Sequence, residues 1–316
     1  MLPTIVHVSG FGRTGSSAVM DALLDTRQFL SLKGKPSSVS ESRVFGGHPD
    51  IPGFVARTSD ITADDIIALW TNAARTERVE ALSPRVRSFI ERTRHSHAIN
   101  AKFLRTTEPS VIRQGAESMA TALANTESQD ERRSSYIRFT YETIRAAFEA
   151  TGLSVLIDND PLISPRIPLH LEQTNVRFVA VIRRPADVYV DRRRTFNPDE
   201  SPARDVLRTS LSASRRLRDL HSLAQIAERQ HPALLVVEFE RFAHDEQYRS
   251  RVIDSIAGGI ASPPTEERFE PARAQKSIGI RPQRRDLLAR SVFAMTLRRA
   301  HGRLVRAGAE SISRAN

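Results

Sequence analysis

The stretch TIVHVSGFGRTGSSAVMDALL, residues 4–24, decides the fold. Its opening run is rich in β-branched residues, ends before Gly10 and is typical of a short buried strand. Glycines follow this run. Residues 16–24 contain few charged residues and have a helical pattern, which predicts a buried helix. The segment therefore predicts a strand, a glycine turn and a helix, which is how a layered α/β domain starts.

The glycine turn, GFGRTGSS at residues 10–17, has the composition of a phosphate-binding loop. Such a turn presents backbone N–H groups and the positive end of a helix to an anion. Gly10 and Gly15 fit the spacing of a Walker A loop, but Ser16 replaces its lysine and the basic residue is Arg13. We interpret the turn as an anion cradle with a displaced cation, and a purely structural tight turn stays open as the alternative.

Three later segments repeat the strand signal, and each lies next to a helical pattern. They are residues 154–158, 176–182 and 233–238. Short apolar runs of this kind indicate buried parallel strands, and residues 29–32 add a further short strand. We expect a three-layer α/β fold in which helices flank a parallel central sheet, with a helical insertion over residues 51–150.

Composition sets the class of protein. The chain has 316 residues, of which 40% are hydrophobic and 27% charged, so it can bury a sizeable core. It contains no cysteine, which excludes a disulfide framework and thiolate metal sites. Neither a signal peptide nor a run of about 18 apolar residues is present, so we expect a cytoplasmic location.

The C-terminal residues 281–316 carry most of the positive charge. They contain nine arginines and two acidic residues, or +7 of the net +10 of the chain. Leu287, Leu288, Phe293 and Leu297 have helical spacing, which predicts a basic amphipathic helix over residues 286–305, after an α/β domain over residues 1–280. Two interpretations stay open: peripheral contact with an anionic membrane surface, or a last helix that completes the core.

A second basic motif, RRPADVYVD at residues 183–191, follows the strongest strand. Pro185 and Asp187 favour the first turn of a helix, so Arg183 and Arg184 should lie where the strand ends. Because α/β sheets bind ligands at the carboxyl ends of their strands, we expect these arginines to face an anion.

Together the two motifs resemble the sulfotransferase family, in its bacterial form, whose members move a sulfuryl group from 3′-phosphoadenosine 5′-phosphosulfate (PAPS) to a hydroxyl or amine. The resemblance implies a P-loop-like fold. It assigns the 5′-phosphosulfate to a basic residue, a Ser or Thr, a glycine and two further hydroxyl residues. The matching residues, with the preceding glycine, are Gly12, Arg13, Thr14, Gly15, Ser16 and Ser17.

The family's second motif, R-x-P-x-D with a serine eight residues after the arginine, holds the 3′-phosphate. Arg183 matches the arginine, but Asp191 stands where the family has serine. The resemblance then implies that Arg184 or a neighbouring arginine takes over, or that the phosphate is bound less directly. The segment from residues 269–271 through residues 276–279 resembles the late loop that closes over the nucleotide, which assigns Lys276 to the donor site.

The reaction needs little beyond a cation and a base. Sulfuryl transfer is an in-line displacement in which charge grows on the leaving oxygen, and Arg13 is the candidate cation. Glu41 and His48, in the polar loop after residue 32, are the candidate bases for the acceptor hydroxyl. We expect no metal site, because His95 and His97 would point to different sides of a helix.

Two other functions stay open. In a P-loop kinase or hydrolase that uses Mg-ATP, Asp158 would face the magnesium ion. In a non-catalytic module, the cradle would bind an anion and the basic tail would dock on a membrane. We expect no nucleic-acid partner, because the arginines lack interleaved aromatic residues. The sequence identifies neither the sulfate acceptor nor the oligomeric state.

Overall fold

Five short apolar segments form one parallel sheet in the computed structural model of the chain. The structure describes residues 4–10, 14–31, 45, 50–71, 82–93, 108–159, 167–196, 201–257, 268–280, 283 and 286–314. The strands are β1 (Ile5–Gly10), β2 (Phe29–Ser31), β3 (Ser154–Asn159), β4 (Val176–Ile182) and β5 (Leu234–Glu238). Each lies within one residue of its predicted bounds, and the predicted α/β class is confirmed.

The strand order is β2-β3-β1-β4-β5, and helices flank the sheet. In the parallel pair of β2 and β3, Leu30 lies opposite Val155, and in the parallel pair of β4 and β5, Ala180 lies opposite Val236. The helices are α1 (Ser16–Leu24), α2 (Ile51–Ala56), α3 (Ala63–Thr71), α4 (Pro84–Thr93), α5 (Pro109–Ala124), α6 (Gln129–Phe148), α7 (Ile167–Leu171), α8 (Pro185–Phe196), α9 (Pro202–Glu228), α10 (Phe239–His244), α11 (Glu246–Ala257), α12 (Pro271–Gln275) and α13 (Leu287–Arg314). None of the helices in the described parts of the chain combines the length and the hydropathy needed to cross a lipid bilayer.

The chain divides into two compact units. Unit 1 comprises Met1–His7, Phe29–Asp160 and Glu172–Val176, and it contains the helices α2 to α6. Its core includes polar side chains that are hydrogen-bonded to each other. His7 Nδ1 lies 2.7 Å from Tyr141 Oη, and Trp70 Nε1 donates to Thr140 Oγ1 at 3.2 Å. Burial raises the pKa of Tyr141 well above its usual value, so the phenol stays neutral.

Unit 2 comprises Val8–Gln28, Pro161–Leu171 and Arg177–Asn316. Its core lies where α9 and α13 pack beside β4 and β5. The helix predicted over residues 286–305 is present and longer, because α13 continues to Arg314. Of its predicted apolar stripe, Phe293 and Leu297 are buried in this core, each 2% exposed, whereas Leu287 and Leu288 are exposed. The buried part of the stripe fits the interpretation of a helix that completes the core.

Candidate functional site

The carboxyl ends of β1 and β4 meet at the topological switch point of the sheet. From β1 the chain continues to β2 on one side, whereas from β4 it continues to β5 on the other. Open α/β sheets bind ligands at such a point, because the loops from the two strands diverge and leave a crevice. Both predicted basic motifs follow these two strands, and their described residues belong to unit 2.

The loop after β1 leads directly into the N-terminus of α1. Gly15 is the N-cap residue and has φ +94°, a left-handed conformation that favours glycine. Gly15 has no side chain to cap this helix end, and the first turn contains no acidic residue. Ser16 is half-buried and Ser17 is exposed. The first backbone N–H groups and two hydroxyls are therefore available to an anion.

Two close contacts explain why this loop requires glycine. A Cβ at Gly10 would lie 1.9 Å from Thr14 Oγ1, and a Cβ at Gly15 would lie 2.1 Å from the ring of Phe239. Thr14 is 3% exposed, and its hydroxyl has no hydrogen-bond partner among the described residues. A buried hydroxyl of this kind costs free energy unless a ligand or a water satisfies it. Gly12 and Arg13 lie outside the described residues.

Arg183 directly follows β4 and lies beside the same loop. Its side chain is 2% exposed, and Nη1 lies 3.0 Å from Asp191 Oδ2, two turns into α8. Nη2 donates to the backbone carbonyl of Ser277, and the guanidinium lies 5.3 Å from the centre of the Phe239 ring. Phe239 thus contacts both the Gly15 loop and Arg183. Three elements hold the guanidinium in place, and one of its partners is a carboxylate.

Arg184 lies in a second ionic cluster. Its backbone N–H and its Nε both donate to Glu240 Oε1, at 2.8 and 3.3 Å, and Nε lies 3.2 Å from Asp187. Glu240 itself is 8% exposed. Burial, with the nearby charge of Glu240 as the second cause, raises the pKa of Glu238 at the end of β5. These two glutamates were not predicted as site residues, although the strand-to-turn segment that carries them is evident in the sequence.

Hydrogen bonds hold the late segment, residues 268–280, against the rest of unit 2. The buried carboxylate of Asp25 accepts hydrogen bonds from the N–H groups of Arg268 and Phe269, at 3.0 to 3.1 Å. Gln275 Nε2 donates to the carbonyl of Ala243 at 3.0 Å. Lys276, predicted to meet the donor, is exposed and directly precedes the Ser277 carbonyl that binds Arg183.

A residue of α13, His301, lines a narrow pocket at the site. The pocket has a volume of about 20 Å³, which suffices for one water molecule. Thr14, Arg183, Arg216 and His301 contribute its polar lining. Burial is the main reason that the pKa of His301 falls to about 4, and the charge of Arg184 adds to the effect. No sequence signal distinguished this histidine, because it is one polar residue on a long amphipathic helix.

The structure thus brings the described part of the predicted donor site together in one unit. Thr14 to Ser17, Arg183, Arg184, Asp191 and Lys276 all belong to unit 2. The candidate bases Glu41 and His48 lie outside the described residues, as do His95 and His97. Within the described ranges, no group of three His, Asp or Glu side chains is placed to hold a metal ion.

Comparison with known proteins gives structural neighbours of one kind. No protein-family model and no curated protein matches the sequence. The sulfotransferase domain from the Synechococcus PCC 7002 olefin synthase is similar over 93% of this chain and 95% of its own, with 11% identity and a TM-score of 0.42. Sulfotransferase STF9 from Mycobacterium avium is similar over 94% and 76%, with 16% identity and a TM-score of 0.34. Both of these solved structures are sulfotransferases by name.

Proposed function

We propose that this protein is a sulfotransferase that moves a sulfuryl group from PAPS to a hydroxyl or amine acceptor. The observation that carries the proposal is the arrangement at the switch point. An uncapped helix N-terminus preceded by Gly15 lies beside an arginine at the end of β4, and Phe239 contacts both. This arrangement offers two anion-binding groups to one nucleotide.

The described residues fit the 5′ end of such a donor. The N–H groups at the start of α1 and the hydroxyls of Ser16 and Ser17 would hold the phosphosulfate, because they lack competing caps. The unsatisfied hydroxyl of Thr14 is consistent with a site that is completed by a ligand or a water. Arg184 and Lys276 would lie toward the 3′-phosphate.

The reaction is a single displacement. The acceptor oxygen or nitrogen forms a bond to sulfur as the bond between sulfur and the bridging oxygen breaks, and the acceptor proton passes to a base. Adenosine 3′,5′-bisphosphate leaves with the bridging oxygen negatively charged. Arg13 would stabilise that developing charge, and Glu41 or His48 would take the proton. No metal is required in this scheme.

The test compares ligands that distinguish the three candidate functions. Thermal unfolding is followed with adenosine 3′,5′-bisphosphate and with Mg-ATP, each at about 100 times its dissociation constant, where a bound ligand stabilises by about 2.7 kcal/mol. Stabilisation by the bisphosphate supports a sulfotransferase. Stabilisation by Mg-ATP alone would indicate a kinase or hydrolase, and no effect of either ligand would indicate a non-catalytic module.

Arg13→Ala extends this test to the mechanism. Because Arg13 would act on charge that develops in the transition state, its loss should lower the rate of PAPS breakdown far more than the affinity for the bisphosphate. Arg251→Ala, on the exposed surface of α11, is the matched control and should leave both quantities unchanged. Unchanged turnover in Arg13→Ala would remove this residue from the mechanism.

A further inference from the structure

Exposed apolar side chains are concentrated on two helices. In the part of the chain that the structure describes, five large apolar residues are exposed, and all five belong to α9 and α13. They are Leu207, Leu211, Leu287, Leu288 and Met295, with exposed fractions of 46% to 69%. A single exposed leucine needs no explanation, but a set confined to two packed helices indicates an interaction surface.

The five residues lie at the same end of the helix pair. Arg193 contacts Asp205 in the first turn of α9, at 3.7 Å, and Asp286 directly before α13, at 3.3 Å. About three turns further along α9 and two turns further along α13, the guanidinium of Arg216 lies 5.9 Å from the centre of the Phe293 ring. The two helices therefore start side by side and run in the same direction. We call their common N-terminal portion, with its five exposed apolar residues, the apolar end.

The N-terminal portions of the two helices carry a large excess of positive charge. Residues 202–218 and 287–303 contain nine arginines and a single acidic residue, Asp205. Asp205 is 2% exposed, and both Tyr189 and Arg193 contact its carboxylate, so it adds little negative charge to the surface. The arginines with exposed side chains in these ranges include Arg204, Arg218, Arg298 and Arg299.

We propose that the apolar end docks on an anionic lipid surface. Its leucines and methionine would enter the boundary between headgroups and acyl chains, and its arginines would bind lipid phosphates and carboxylates. This inference is independent of sulfuryl transfer. It extends the sequence-based expectation for residues 281–316, because α9 supplies two of the five apolar residues and more than half of the arginines.

Other partners explain only part of the surface. Nucleic acid would bind the arginines, but it is held through phosphates and aromatic stacking, which leaves exposed leucines without a role. A second copy of this chain would cover the leucines, but it would place arginines against arginines, and like charges across an interface cost several kcal/mol. An anionic bilayer satisfies both the apolar and the charged residues.

The experiment is co-sedimentation of the full chain with vesicles. Vesicles of phosphatidylcholine alone are compared with vesicles that also contain phosphatidylserine at about a third of the lipid. We expect binding to the anionic vesicles only, and we expect that binding to weaken as salt is raised. Absence of binding to anionic vesicles at low salt would overturn the proposal.

Three triple variants locate the contact. They are Leu211→Gln with Leu288→Gln and Met295→Gln; Arg204→Gln with Arg298→Gln and Arg299→Gln; and, as a control in unit 1, Arg57→Gln with Arg85→Gln and Arg92→Gln. The first should weaken binding at least about tenfold, because each side chain loses apolar contact. The second should weaken binding on the order of a hundredfold, since each basic residue at the surface contributes about fivefold. The control removes the same charge from other exposed positions and should change little.

Each alternative has its own result. Equal losses in the control would mean general attraction to a basic protein, and an unaffected apolar variant would mean contact through charge alone. A wild-type dimer that the apolar variant converts to monomer would mean a self-interface. Each of these results would overturn the proposal. Because all changed side chains are exposed, the variants should keep the wild-type melting temperature and the wild-type affinity for adenosine 3′,5′-bisphosphate, whatever the outcome for the proposed activity.

Discussion

At the scale of single residues, Asp191 determines what Arg183 can bind. The resemblance to sulfotransferases assigns Arg183 to binding of the 3′-phosphate, and that assignment stays a prediction. In the structure this guanidinium contacts Asp191, the Ser277 carbonyl and the Phe239 ring. A phosphate that approached it would also meet a carboxylate 3.0 Å away, which lowers the affinity for that phosphate.

Asp191→Ser should therefore favour the 3′-phosphate. We expect it to tighten binding of adenosine 3′,5′-bisphosphate about tenfold relative to adenosine 5′-monophosphate, because one negative charge near the phosphate is removed. Calorimetric titration of both nucleotides measures this ratio. The same variant should unfold more easily without ligand, by up to about 3 kcal/mol, because the buried Arg183 loses its partner.

Asp191→Asn separates charge from hydrogen bonding and should give an intermediate ratio. Arg183→Ala should weaken the bisphosphate more than the monophosphate. Equal changes for the two nucleotides in every variant would place the 3′-phosphate away from Arg183.

His301 should make the stability of the protein depend on acid. Its pKa is about 4 in the folded chain and 6.5 in the unfolded chain, so the unfolded state binds more protons between these values. The stability that neutral His301 provides is complete above pH 6.5 and is lost as the pH falls toward 4, by no more than about 3 kcal/mol.

Urea denaturation across this pH range, with His301→Leu, tests the prediction. That variant should remove the part of the pH dependence of the free energy of unfolding that is due to His301. His244→Gln, at an exposed histidine of α10, is the matched control and should keep the slope. An unchanged slope in His301→Leu would contradict the prediction.

At the scale of elements, the turn between β1 and α1 depends on Gly15. Gly15→Ala should destabilise the protein by about 2 to 4 kcal/mol, because the residue has φ +94° and its Cβ would overlap the Phe239 ring. Gly152→Ala is the matched control. That glycine has φ +65° but no atom within 4 Å of the new Cβ, so the expected loss is about 1 kcal/mol. Equal losses would show that the contact with Phe239 contributes nothing.

The elements themselves were predictable because they are apolar runs bounded by turn residues. β4 has its predicted bounds, since residues 176–182 form a run that is buried except at Arg177, and α8 begins at Pro185 as its composition indicates. The length of α13 was underestimated, because the residues after Val305 include Gly308, which the helical pattern does not favour. Gly308 packs against Val236 of β5, and that close approach explains a glycine there.

At the scale of the whole molecule, the candidate site could be predicted only in part. Both anion-binding motifs follow strands, so their place at the carboxyl ends could be deduced. The contacts of Phe239 with Gly15 and Arg183 join residues far apart in the chain, as does the contact of Ser277 with Arg183. Spacing along a sequence carries no information on such contacts. The roles of Arg13, Glu41 and His48 stay predictions.

The single tryptophan of the chain gives its fluorescence a defined origin. Trp70 is buried in unit 1, where its indole N–H is bound to Thr140 of α6, whereas the described donor-site residues belong to unit 2. Emission during denaturation therefore reports the loss of packing around Trp70, and circular dichroism reports the helices of both units. A nucleotide that binds unit 2 shifts the fluorescence transition only to the extent that the two units unfold as one cooperative system, so this shift measures their cooperativity.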